Sequence, residues 1–68
     1  MSIKMDVKPF FLRLPQVMNL VGLGRSSIFK AVKEGTFPAP VNIAKRAIAW
    51  RYSDIKKWVD ERPTARDI

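Results

Sequence analysis

A chain of 68 residues with a formal net charge of +7 has room for one small domain and a bias toward anionic partners. It contains no cysteine and no histidine, which excludes a disulfide framework, a thiolate zinc site, and the commonest metal ligand and general base. No apolar run approaches the roughly 20 residues that span a bilayer, and Met1 to Lys8 lack the apolar middle of a signal peptide, so the chain reads as soluble, cytoplasmic and unexported.

Residues 1–9 show no convincing period and are expected to form a loose arm. Phe10, Phe11, Leu12 and Leu14 then make an apolar cluster, and Pro15 suits the first position of a helix, where its missing N–H would have no partner. Val17, Met18 and Val21 fall on one face of that helix. Gly22 stops it, Leu23 is placed to pack inward, and Gly24 stands where an N-cap belongs. A second helix is predicted from about Arg25 to Glu34, burying Ile28, Phe29 and Val32 and ended by Gly35. Two short helices joined through a glycine-bracketed turn are the sequence pattern of a helix-turn-helix.

Pro38 and Pro40 forbid helix beyond Phe37. Val41-Asn42-Ile43 and Ile48-Ala49-Trp50-Arg51 alternate as half-buried strands do, and the four residues between them make a hairpin whose tip carries Lys45 and Arg46. Ser53 reads as the N-cap of a closing helix, with Asp54 at its positive end and Ile55, Trp58 and Val59 as its inner stripe. Lys57 and Glu61, four apart, suggest an ordinary surface ion pair. Pro63 ends this helix, and residues 63–68 form a fraying tail. The expected architecture is small and mainly α with a two-stranded β-hairpin wing, a winged helix-turn-helix over residues 10–62.

The distribution of charge says more than its total. From Arg25 to Lys57 the cations are Arg25, Lys30, Lys33, Lys45, Arg46, Arg51, Lys56 and Lys57, opposed only by Glu34 and Asp54, whereas acidic residues prevail from Asp60 onward. A basic patch over the middle of the chain suits a polyanion, because each neutralised phosphate releases condensed counterions.

Phe11-Leu12-Arg13-Leu14-Pro15-Gln16-Val17, Gly22-Leu23-Gly24-Arg25-Ser26-Ser27-Ile28-Phe29, Gly35-Thr36-Phe37-Pro38, Ala49-Trp50 and Asp54-Ile55 with Trp58 follow one another in an order that resembles the AlpA family of prophage regulators. The resemblance implies a winged helix-turn-helix related to phage excisionases and to the DNA-binding domain of MerR. It also implies control of integrase expression, or direct help to integrase at attachment sites. Gly24 stands where the family often has serine, and Ala44 and Ala47 where it often has a glycine near the wing tip.

If the second helix enters the major groove of double-stranded DNA, its first residues meet base edges first. Arg25 either grips a guanine through O6 and N7 or touches phosphate. Ser26 and Ser27 either contact DNA or complete the helix N-terminus by local hydrogen bonding. Lys30 lies one turn on, and Lys33 is further still, toward phosphate or solvent. Lys45 and Arg46 suit a wing that follows the backbone or enters the minor groove, with a solvated turn as the other reading. Arg51 and Arg13 are further candidates for phosphate contact, whereas Phe29, Phe37, Trp50 and Trp58 read as core.

Without histidine or cysteine an enzyme is not expected, and Asp54 and Glu61 make no dyad; no cofactor is called for. A protein-interaction adaptor for integrase or a repressor would need an exposed apolar patch, for which Ile3, Val7 and Phe10 are the candidates. Because one such module reads few base pairs, self-association on DNA is also expected.

Overall fold

The computed structural model describes residues 9–65. The expected arm over 1–9 lies outside them except for Pro9, taking Ile3 and Val7 with it, and so does the tail end over 66–68. In chain order the elements are β1 (Phe11–Leu12), α1 (Leu14–Val21), α2 (Arg25–Glu34), β2 (Val41–Ala44), β3 (Ala47–Arg51) and α3 (Tyr52–Asp60). The result is a winged helix-turn-helix whose sheet has three antiparallel strands in the order β1-β3-β2.

Helix α1 begins one residue before Pro15, which therefore takes the second position. Its cap is Arg13, whose backbone N–H donates to Gln16 Oε1 at 2.8 Å, so Gln16 supplies the returning half of a capping box. Gly22 ends α1 at φ 73° and Gly35 ends α2 at φ 81°. Both lie in the left-handed region, where a Cβ would cost roughly 1–2 kcal/mol. Between them Gly24 caps α2 in extended conformation, and Leu23 packs inward against the core as its position suggested.

The third strand is a departure from the expected two-stranded wing. Phe11 pairs with Arg51 and Leu12 with Trp50, and the Tyr52 N–H donates to the Phe10 carbonyl at 2.8 Å, so this ladder runs into the first turn of α3. That bond satisfies one of the helix's otherwise orphaned N–H groups, and the helix starts at Tyr52 with Arg51 as its N-cap. Ser53, expected to cap α3, lies inside its first turn instead. Val59 faces solvent at 45% exposure rather than closing an inner stripe, leaving Ile55 buried and Trp58 half-buried to hold α3 down. The ion pair along this helix is Lys56 with Asp60 at 2.8 Å, one residue before the expected Lys57 with Glu61.

The hairpin is present, but its alternation is not the expected one. Asn42 pairs with Ile48 and Ala44 with Ala47, so Ile43 is an extra, bulged residue and Lys45-Arg46 form a two-residue turn. Among the described residues no side-chain-bearing position has positive φ, which excludes the type I′ and II′ turns that glycine or asparagine would have favoured. Ile43 and Ile48 stand on the wing surface at 39% and 37% exposure, while Ala49 and Trp50 are both fully buried. The reason is position: β2 is an edge strand, and β1 joins β3 only at Trp50 and Arg51, so Ile48, opposite Asn42, lies beyond β1 in the two-stranded part of the wing.

The core gathers Leu12, Val17, Ile28, Phe37, Trp50 and Ile55. Trp50 is its largest member, and its Nε1–H donates to the Pro38 carbonyl at 2.7 Å. Phe37 sits between the indoles, with centroids 6.5 Å from Trp50 and 4.8 Å from Trp58. Trp58 in turn donates from Nε1 to the Thr36 carbonyl at 2.8 Å. The Thr36-Phe37-Pro38 exit from α2 is thus tied to β3 and α3 at once, fixing where the second helix points.

Candidate nucleic-acid interface

All eight cationic and hydroxyl residues singled out from the sequence, Arg25, Ser26, Ser27, Lys30, Lys33, Lys45, Arg46 and Arg51, are exposed. They do not form one uniform surface. On α2, Ser26 and Lys30 are four apart and Lys30 and Lys33 three apart, so these side chains share a stripe opposite the buried Ile28. Among the described residues neither the Ser26 nor the Ser27 hydroxyl has a hydrogen-bond partner, so local completion of the helix end, one of the two roles open to them, is not what occupies them. The α2 N-terminus likewise has no side-chain cap.

Arg25 is placed differently. Its guanidinium carbon lies 5.7 Å from the centroid of the Phe29 ring, four residues on and toward the core side of the helix. It lines a cleft with Arg13 from the start of α1 and Ile48 from β3. The base of the wing therefore abuts the first turns of α2, and Lys45 and Arg46 project from this junction, with Arg46 two residues, or about 7 Å, out along the strand direction from Ile48. Arg51 is apart from this group. It lies at the start of α3, 3.9 Å from Asp54 Oδ2, and borders a groove with Phe10 and Phe11.

Charge pairing separates two regions. The carboxylates among the described residues are Glu34, at the end of α2, and Asp54, Asp60 and Glu61, on or just after α3. The α3 region also holds its own cations: Arg51 with Asp54, Lys56 with Asp60, and Arg62, which stacks 4.2 Å from the Trp58 centroid and donates from Nε to the Trp58 carbonyl at 3.0 Å. The bond to Asp60 raises the Lys56 pKa above its ordinary value. On α2 and the wing, Lys30, Lys33, Lys45 and Arg46 have no such partner among the described residues. Their charge is available to an external anion.

The residues that sequence reasoning underweighted here are Arg13 and Ile48. Arg13 precedes the Leu14-Pro15 helix entry, and its role as a cap hides its second position beside Arg25. Ile48 was read only as part of an alternating, half-buried strand, yet it is 37% exposed and lines the same cleft as Arg13 and Arg25. The aromatic reading holds: Trp50 and Phe37 are buried, and Phe29 and Trp58 pack against the core rather than standing free to stack on bases.

A short helix pair with a free polar stripe on its second member, followed by a cation-tipped hairpin, defines a winged helix-turn-helix module. The chain belongs to the AlpA family: the family described as prophage CP4-57 regulatory protein (AlpA) matches residues 10–63. It is also 39% identical over 56 residues to the uncharacterized protein ORF88 of Enterobacteria phage P4, an alignment covering 82% of this chain and 64% of that one. The chain thus spans a little under two thirds of the length of that phage relative. No helix among the described residues is long and apolar enough to cross a membrane.

Proposed function

We propose that this protein is a sequence-specific reader of double-stranded DNA, acting in the cytoplasm to regulate transcription from a prophage or integrative element, with the integrase gene as its target. The observation that carries this reading is the set of cations and hydroxyls on α2 and the wing that have no partner among the described residues, whose carboxylates lie on or just after α3 and at the end of α2. Helix α2 supplies Ser26, Lys30 and Lys33 to the major groove, Ser27 lies at its entry, and Lys45 and Arg46 follow the adjoining backbone or minor groove. Membership of a regulatory prophage family supports the same role. Several copies bind adjacent sites, because one module covers few base pairs.

A second reading keeps the same DNA reader but places it at attachment sites, as an excision factor assisting integrase. The exposed Phe10, at 84%, beside a groove bordered by Phe11 and Tyr52 supports it, because this apolar patch lies apart from the basic cleft and is open to a protein partner. Both readings are tested by incubating purified protein with sheared DNA carrying the element, at near-physiological salt, and sequencing what is retained. Sharp peaks at a promoter support the regulator and peaks at an attachment site support the excision factor. Uniform recovery overturns specific reading in either form.

A further inference from the structure

The cleft between the start of α1, the start of α2 and β3 encloses about 390 Å³. Leu14, Met18, Phe29 and Ile48 give it apolar walls, and its two charged lining residues, Arg13 and Arg25, are both cations. Among the described residues neither guanidinium is ion-paired and no carboxylate lines the space.

We propose that this cleft is a clamp for one phosphodiester of the DNA backbone, held between Arg13 and Arg25, and that Arg25 positions α2 on the duplex rather than reading a base. The inference rests on the DNA-binding reading above. Three features carry it. Two like charges that share a cleft and lack a counter-charge are relieved by an anion, and a phosphodiester is the anion that DNA presents along its whole length. Apolar walls keep bulk water from screening the attraction as fully as it does on an open surface. Finally, the Phe29 ring beside Arg25 turns that side chain off the Ser26-Lys30-Lys33 stripe and restrains it, while the in-plane N–H groups of a stacked guanidinium remain able to fork onto phosphate oxygens.

The helix therefore divides its labour. Arg25 joins Arg13, from a different helix, in setting register on one strand, and the stripe begun by Ser26 is left to face the bases. A base-reading arginine would have no reason to share a cleft with a second cation from α1. A phosphate ligand gives that arrangement its purpose.

The test compares wild type, Arg13→Ala, Arg25→Ala and the double variant on a duplex retained from the element and on a random-sequence duplex, over a salt series. Each single variant is expected to lose affinity by about the same factor on both duplexes, roughly tenfold, and the log–log salt slope should fall by no more than about 0.9 in the single or the double variant, the value for the one phosphate they share. The double variant should lose less than the product of the two, because both arginines serve one phosphate. A single methylphosphonate in the retained duplex should abolish the effect of both substitutions. Arg13→Gln and Arg25→Gln, which keep most of the aliphatic stem, carry the same expectation should alanine impair folding. A loss from Arg25→Ala confined to the retained duplex makes Arg25 a base reader and overturns the clamp, as does an unchanged Arg13→Ala. Failure of the wild type to bind either duplex overturns the DNA reading itself, and the clamp with it.

Discussion

Trp50 donates its indole N–H to the carbonyl oxygen of Pro38 at 2.7 Å, joining the central strand to the extended segment that leaves the second helix. Trp50 is fully buried and the bond itself is partly shielded from solvent, so water replaces this partner less readily than on an open surface. Trp50→Phe is expected to destabilise the protein by about 2 kcal/mol, roughly half from the unpaired carbonyl and half from lost volume. Trp58→Phe removes the bond to Thr36 at a half-exposed site, where water can replace it, and should cost clearly less. Urea unfolding of the two variants checks the order, and equal losses would show that the Trp50 bond is not special.

The glycines of the helix-turn-helix should respond with opposite signs. Gly35→Ala forces a side chain into φ 81° and is expected to cost about 1–2 kcal/mol, although the space around it is open. Gly24→Ser meets no steric obstacle, keeps an extended backbone and adds a capping oxygen, so it should stabilise by a few tenths of a kcal/mol. Thermal melts that moved in the same direction for both would contradict the assigned backbone roles.

Lys45→Ala combined with Arg46→Ala should lower the log–log salt dependence of DNA binding by about 1.8, the value for two phosphates. Folding should be unaffected, since both side chains are exposed on a turn with no partner among the described residues. A slope equal to that of wild type would remove the wing tip from the interface and leave it as the solvated turn that the sequence also allowed.

Lys30→Ala tests the stripe on α2. Because it lies between Ser26 and Lys33 on the face opposite Ile28, it should weaken a retained site by about 1–3 kcal/mol more than a random duplex if it reaches a base. Arg51→Ala, already beside Asp54 and away from the cleft, should change both affinities little. A larger loss from Arg51 than from Lys30 would move the interface to the other side of the sheet.

Much of this was legible in the chain. The spacing of Val17, Met18, Val21, Ile28 and Val32, with glycines at 22, 24 and 35, places both helices and their turn, because amphipathic period and positive-φ residues are local properties. Strand β1 was not legible: two residues carry no period, and Phe11-Leu12 becomes a strand only through Trp50 and Arg51, far along the chain. The start of α3 fails for the same reason, since a distant Phe10 carbonyl, not the nearby Ser53 hydroxyl, meets its first N–H. Alternation breaks down along β3, with Ala49 and Trp50 both buried and Ile48 exposed, because β1 flanks only the later part of the strand, which pattern alone does not show. The orientation of Arg25, by contrast, followed from an aromatic residue four positions on, a spacing present in the sequence but visible as a constraint only once Phe29 was seen to lie on the core side.

In the function proposed above, the cationic surface of α2 and the wing reads a DNA sequence. Its most direct test is the ratio of dissociation constants for a duplex retained from the element and a scrambled duplex of equal length and composition, measured at one near-physiological salt concentration. The account predicts a ratio on the order of 10³ in favour of the retained sequence. Equal affinities, or no binding to either, would contradict it.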